Sequence, residues 1–517
     1  MFLCPSKKSA VMGDKVWSLD KKKTMEAYEA LKPFFLSEGG VGKSDYMIAF
    51  LKTAGLWDTL INAQPTLLKK ENGKDIRQLN EIVLVKELLG IKHIANTGMM
   101  LRDGDLMAML GFNIEKMTKS DNSLVGIAHK NTLRNHLNRI PTDESYKKWY
   151  DQVQFLRKKK WLRGGVYALD GYEIEVSIDD SEYEGAGKVW CPNENRWKYG
   201  YKLLLLVNVA EGRERIVGAY LDKIETHETK MFYAMMAHIE QYLCPLEDLM
   251  DTLLFDRAYW DEKLLRYLKE EKGIDWVTLG KSNTNLVKEE MKERIQFDPL
   301  AFTAYRRKNP RYYERTTTKD IQKKSKEPEY IDLDLGVVRH IDFQPFEQGY
   351  LNVVVRRKYP KDQPVYTYYV TTLPIKNPVE IVELYRSRWT IEDDVNRELG
   401  QRWALRSLAG RKLNIILARI MIVLKLFNCE KIMEMKKLKE YKLLKEKLRT
   451  QENHDFLKGA NRIVVYIKNQ AIFGTFSAVE FQALVERRLK KELLAKLNLK
   501  AGDMISAETL LDFLNRD

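Results

Sequence analysis

The spacing of apolar and polar positions changes several times along this chain, and the changes divide it into regions. Up to about residue 155, Asp75–Leu89 and Leu101–Leu110 carry apolar residues at helical spacing, and Asn131–Arg139 reads as a short basic helix stopped by Ile140–Pro141. From Gly165 the period shortens. Val166–Asp170, bounded by glycines, reads as a buried strand, and Lys202–Ala210 and Arg215–Ile224 form a hairpin around the turn Glu211–Glu214. A helix follows from Glu228 to Tyr242, then the apolar run Thr252–Asp256, a helix Tyr259–Glu271 and a strand Ile274–Leu279. That alternation predicts an α/β domain with a mixed sheet. Tyr330–Phe343, Leu351–Lys358 and Val365–Leu373 are further strands, preceded by the basic, aromatic stretch Tyr305–Arg315. Leu413–Leu448 and residues 478–517 return to helix. The division expected is a helical region 1–155, a core in two parts (156–280 and 376–430), a β-rich insertion 281–375 and a basic helical C-terminal region 431–517.

The helix Asn377–Leu408 stands out because its apolar stripe contains charge. Asn377 is an N-cap, Pro378 suits the first helical position, and Glu380 completes a capping-box-like start. Ile381, Leu384, Ile391, Val395 and Leu399 fall on one face, and Tyr385, Arg388 and Glu392 lie within it. A buried charge is costly unless it is paired or binds a metal. An Arg388–Glu392 ion pair at i,i+4 is one account of these residues, in the weaker of the two orientations. Convergence with other acids is the other.

Composition narrows the partner. The 517 residues carry a formal net charge of +14, so an anionic partner is expected, nucleic acid before an acidic membrane. No apolar stretch is long enough to span a bilayer; Leu413–Phe427 is interrupted by Arg419 and Lys425. The four cysteines have no CxxC spacing and the seven histidines are scattered, so any metal is expected on oxygen ligands, in a reducing cytoplasm. Lys130, Arg134 and Arg139 are candidate phosphate contacts or simply a solvated face. Lys431–Arg449, with eight Lys/Arg against three Glu, is a second basic segment.

Two short strands share a design: Val166–Asp170 and Thr252–Asp256 are each apolar until a final aspartate. Each aspartate alone also fits a strand-end turn. If the strands are neighbours, Asp170 and Asp256 meet at the sheet's carboxyl edge, where α/β proteins gather their chemistry. Two adjacent carboxylates repel unless protonated or bridged by cations. Glu392 would complete an oxygen-only set suited to Mg²⁺ or Mn²⁺. Glu173, Glu175, Asp179 and Asp180 are competing acids close by. Together these features point to a metal-dependent nucleic-acid enzyme.

The segment YYVTTLPIKNPVEIVELYRSRWTIEDD, Tyr368–Asp394, resembles the signature region of the IS4-type bacterial DDE transposases, in which a Tyr, an Arg three residues on and a Glu four further precede a Lys. Tyr385, Arg388 and Glu392 match the first three. Asp256-Arg257-Ala258-Tyr259 is similar to the family's second-aspartate motif and Leu169-Asp170-Gly171 to its first, and the long gap from Asp256 to Glu392 matches a β-rich insertion. The resemblance covers roughly residues 160–410. It departs at the lysine, whose position holds Leu399; Arg397 and Arg402 lie nearby.

The resemblance implies a ribonuclease-H-like core in which Asp170, Asp256 and Glu392 are catalytic and hold two Mg²⁺ or Mn²⁺ ions. It implies cleavage at transposon ends followed by 3′-OH strand transfer into target DNA, by a cytoplasmic, DNA-associated bacterial enzyme acting as a homodimer or larger synaptic complex. Arg257, Tyr385, Arg388, Arg397, Arg402, Arg306, Arg307 and Arg311 are the expected DNA contacts, and Tyr312 and Tyr313 are candidates either for base stacking or for the core of a β face. A metal-dependent nuclease or resolvase on the same fold, and a catalytically inactive transposase-derived DNA-binding protein, remain open.

Overall fold

The computed structural model describes residues 16–30, 35–40, 43–61, 76–97, 128–162, 164–177, 183–209, 214–280, 293, 301–308, 329–343, 346, 350–358, 365–436, 460–467 and 470–496. The chain forms two compact units. One comprises Met1–His136 with Lys436–Asp517, the other Leu137–Met435.

In the first unit, β1 (Val16–Leu19) and β2 (Phe35–Gly40) join β13 (Ala460–Ile467) and β14 (Gln470–Ser477) in the order β1-β14-β13-β2. Helices α1 (Lys21–Glu29) and α11 (Ala478–Lys496) close a core of Tyr28, Ile463, Val465, Phe476 and Leu484. The expectation of two purely helical terminal regions therefore needs correction: strands from both ends of the chain pair in one sheet. The apolar run Ile463–Val465 marks β13, but a pairing so distant in sequence leaves no local trace. Helices α2 (Lys43–Thr53), α3 (Trp57–Ile61) and α4 (Ile76–Leu88) belong to the same unit, whereas Leu101–Leu110 lies outside the described residues. The basic helix, α5 (Lys130–Asn138), buries Leu133, His136 and Leu137 and exposes Lys130 and Arg134.

The second unit starts from α6 (Thr142–Lys158) and is built on one sheet, which among the described residues has ten strands. Its centre comprises β3 (Val166–Val176), β5 (Arg196–Asn208), β6 (Arg215–Lys223), β7 (Thr252–Phe255) and β8 (Asp275–Leu279), in the order β6-β5-β3-β7-β8. The hairpin pairs are antiparallel; β3, β7 and β8 are parallel. All four residues of β7 are buried, as a parallel strand covered on both faces requires. Beyond β8 the sheet continues antiparallel through β12 (Val365–Thr371), β11 (Tyr350–Lys358), β10 (Tyr330–Asp342) and β9 (Thr303–Lys308), so the later strands extend the core sheet. At the other end β4 (Gly187–Cys191) pairs the first residues of β5 and β6 the remainder. Helix α7 (Glu228–Tyr242) packs Met235 and Ile239 against Gly218 of β6, and the short α8 (Glu262–Arg266) follows β7.

Two helical segments follow the sheet. α9 (Pro378–Ser387) begins as the sequence predicts, with the Asn377 side chain accepting from the amide of Val379. The long helix expected to follow is not regular: it runs through π-helical stretches at Ile391–Asn396 and Glu398–Arg402 and ends there. α10 (Leu413–Met435) is buried almost all round, and Lys437–Arg449 lies outside the described residues. No helix among the described residues is long and apolar enough to cross a membrane.

Candidate active site

The parallel pairing of β3 with β7 ends at Leu169 opposite Phe255. The next residue on each strand is an aspartate. Asp170 and Asp256 therefore leave neighbouring strands, about 4.8 Å apart, at the same level of the sheet. β3 itself does not stop at Asp170, as the apolar run had predicted, but continues to Val176 against β5. Past Gly171 the pattern becomes an alternation, with Tyr172 and Ile174 buried and Glu173 and Glu175 exposed, which signals a half-covered strand. The two glutamates pair with Lys198 and Arg196, and Asp179 and Asp180 lie outside the described residues.

Asp256 occupies the cap position of the short turn Arg257–Tyr259, but its side chain makes no capping hydrogen bond. Arg257 is exposed beside it. Asp170 is mostly buried, and burial pushes its carboxyl up to about 7; Arg388 pulls it down, while Glu392 and Glu228 push it further up. Asn396 Nδ2 donates to Asp170 Oδ2 at 3.4 Å, and Arg388 Nη1 stands 4.0 Å from Oδ1.

Arg388 is the hub of the site. Its side chain is 6% exposed, yet Nη2 reaches Glu392 Oε1 at 2.8 Å. Burial opposes the guanidinium charge, but Tyr385, Glu392, Asp170 and Asp256 together hold its pKa above the ordinary value. Its Nε has no partner among the described residues, nor has the buried hydroxyl of Tyr385. Burial raises the Tyr385 phenol to about 12 against the pull of Arg388, with Asp256 adding to the rise. Tyr369 packs edge-on to the same ring at 5.6 Å.

The charge expected inside the apolar stripe is thus the arginine rather than the glutamate. Glu392 is half exposed and lies at the rim, in the ion pair that the i,i+4 spacing allows.

The sequence reading missed Glu228, at the first turn of α7. It pairs with Lys202 at 3.4 Å, and a Cβ built on Gly171 would lie only 3.0 Å from its Oε1. An acid in a first helical turn ordinarily reads as a complement to the helix dipole, so nothing local marked it. Asn396 was missed as well.

The other expected DNA contacts scatter. Leu399 is fully buried. Arg397 is 58% exposed and pairs with Asp394; Arg402 is mostly covered and pairs with the buried Glu430. Arg306, on β9, pairs with Asp332 across to β10. Arg307 is the next residue of β9, and Arg311, Tyr312 and Tyr313 lie outside the described residues. Trp389 is exposed.

As the side chains stand, no three His, Cys, Asp or Glu residues among those described are gathered closely enough to hold a metal ion. The chemistry of the set nevertheless fits one. Asp170, Asp256 and Glu392 are hard oxygen donors, with no soft ligand among them. Asp170 carries a burial cost that its neighbours offset only in part, and the guanidinium of Arg388 now supplies positive charge between two of the three acids.

A search among curated proteins finds no match. The family model for the transposase DDE domain matches residues 131–429, which include Asp170, Asp256 and Glu392. With more than half of its length in that match, the chain belongs to the DDE-domain transposase family.

Proposed function

We propose that this transposase cleaves DNA at the ends of an insertion sequence of the IS4 type and joins the freed 3′-OH to target DNA, with Asp170, Asp256 and Glu392 as its catalytic acids. The observation that carries the reading is the meeting of Asp170 and Asp256 at the end of one parallel strand pair, under a helix whose Arg388 lies against Asp170 and Glu392. The strand order β6-β5-β3-β7-β8, with only β5 antiparallel to its neighbours, supports a ribonuclease-H-like core.

Asp170, Asp256 and Glu392 would hold two Mg²⁺ or Mn²⁺ ions, whose contribution is Lewis-acid activation of the attacking oxygen and neutralisation of the leaving one. The chain's own residues do the rest. Glu392, half exposed at the rim, is the acid free to turn from Arg388 toward the aspartates. Released from that pair, the buried guanidinium is placed to grip a phosphate next to the scissile bond, with Tyr385 beneath it. Arg257 is the exposed cation next to Asp256. Arg397, rather than Leu399, offers charge beyond Glu392. Arg306, Arg307 and Arg311 and the basic segment after Lys431 add salt-sensitive backbone affinity. Two DNA ends have to meet, so the working assembly is a homodimer or larger.

The test is strand transfer of a pre-cleaved element end into supercoiled plasmid, with Mg²⁺ or Mn²⁺, by the wild type and Glu392→Ala. Joined product from the wild type alone supports the reading. Cutting without joining would make the protein a nuclease of this fold; end binding that ignores both metal and mutation would make it an inactive DNA-binding descendant.

A further inference from the structure

The β4–β5 ribbon carries an exposed aromatic pair that the fold does not need. Trp190 and Trp197 lie directly opposite each other on the two strands, with ring centroids 5.5 Å apart, and are 42% and 45% exposed. Lys188 Nζ stands 5.2 Å from the centre of the Trp197 ring.

Register connects this pair to the active site. Asp170 is opposite Leu205, Tyr172 opposite Leu203, Ile174 opposite Tyr201 and Val176 opposite Tyr199. Lys188 is opposite Tyr199 in turn. Opposed residues share a face and strand side chains alternate, so Asp170, Lys188, Trp190 and Trp197 all lie on one face of the sheet. The ion pairs Lys198–Glu173 and Arg196–Glu175 verify the alternation from the other face.

Along the shared face, Asn396 reaches Asp170, Gly400 lies against Tyr172, and Glu184 and Gly185 cover Tyr201. Farther along the same face, Trp190 and Trp197 are exposed. The eight steps from Leu205 to Trp197 span about 27 Å at the rise of an antiparallel strand. That equals about eight base-pair steps of duplex.

The two faces of the ribbon differ in charge. On the back, Arg196 and Lys198 are tied to Glu173, Glu175 and Glu194. On the face shared with Asp170, Lys188 is the charged residue beside the two rings. The rings expose roughly 200 Å² between them, well short of the ~800 Å² per partner that a stable protein interface buries. An aromatic pair with one cation, on the face that leads to the acids, instead matches a platform for a base and its phosphate.

We propose that Trp190 and Trp197 stack on an unpaired DNA base at a distance from the scissile bond, with Lys188 against its phosphate. The inference rests on the DNA reading of the site given above. Fluorescence anisotropy with labelled DNA tests it, comparing a blunt duplex with the same duplex carrying a short single-stranded overhang. The wild type should favour the overhang by about fivefold or more for each stacked base. Trp190→Leu/Trp197→Leu, which keeps apolar bulk, should lose that preference and still bind blunt duplex; Trp190→Phe/Trp197→Phe should keep most of it. Circular dichroism checks that each variant folds.

A wild type indifferent to the overhang, or a leucine variant that retains the preference, overturns the proposal. So does a leucine variant whose only change is weaker self-association in sedimentation velocity, which would make the face a contact between copies. Failure of the DNA reading itself looks different: the wild type would not bind blunt duplex or would show no metal-dependent cutting.

Discussion

Replacing Arg388 by glutamine removes the cation that lies between Asp170 and Glu392, and its consequences follow from the distances. Breaking a buried ion pair costs about 3–5 kcal/mol when the remaining charge is sealed from water. Here Glu392 is half exposed, so solvent takes over most of its share. Asp170, mostly buried, with Arg388 at 4.0 Å, bears the larger part. A net loss of about 1–3 kcal/mol is expected at pH 8, above the raised pKa of Asp170, and at about 2–4 °C per kcal/mol it is readable as a fall in Tm of the catalytic unit. Divalent ions should reverse it, because they restore positive charge at the same place. Saturating Mn²⁺ at a hundredfold over its Kd adds about 2.7 kcal/mol to any protein that binds it only when folded. The variant should bind Mn²⁺ more tightly than the wild type, in which Arg388 competes for Glu392. Calorimetric Mn²⁺ titration and thermal unfolding with and without the ion measure both effects. A variant that loses stability but is not rescued by Mn²⁺, or that binds the ion no better than the wild type, would refute the view that Arg388 holds the place of a cation.

Leu399→Lys inserts a charge at a fully buried position; unfolding should show a loss of about 3 kcal/mol or more, with no gain in strand transfer. Lys425, buried in α10, is pushed down to about 7 by burial, with Lys148 adding to the fall and Asp151 opposing it. Because the unfolded chain holds this proton up to about pH 10.5, stability should rise with pH between about 7 and 10.5; Lys425→Met should be more stable by a few kcal/mol at pH 7 and lose that advantage toward pH 10 in denaturant melts. Gly200→Ala should destabilise strongly, since its Cβ would sit 2.0 Å from the Ile174 carbonyl oxygen at a φ of +146°; a normal Tm would contradict the β3–β5 register.

The core sheet was legible because each strand announces itself locally: the apolar runs before Asp170 and Asp256, and the hairpin around residues 211–214. Their adjacency was inferred only from matching design, and the parallel β3–β7 ladder supplies it. The length of β3 was misjudged because Gly171 looked like a terminator, whereas its missing Cβ makes room for Glu228. Glu228 and Asn396 had no local signature, since their relation to Asp170 exists only once α7 and the glutamate helix pack on the sheet. The terminal sheet was hidden for the same reason: β1 pairs β14 across nearly the whole chain.

The glutamate helix shows why a motif read with α-helical spacing can misplace a residue. Seven residues make almost two α-turns, so an α-helix would put Leu399 on the same face as Glu392. Instead Glu392 is exposed and Leu399 is sealed in the core. From Ile391 the backbone is π-helical, its hydrogen bonds closing from i to i+5, so each turn takes more residues and the seventh rotates away from the first. The residues that return above Glu392 are then the fourth and fifth, Asn396 and Arg397. Asn396 does reach Asp170, and Arg397 does emerge into solvent. A lysine at position 399 would be sealed in the core, so Leu399 fits the winding of the helix. Arg397, two residues earlier, is the cation that emerges beyond Glu392.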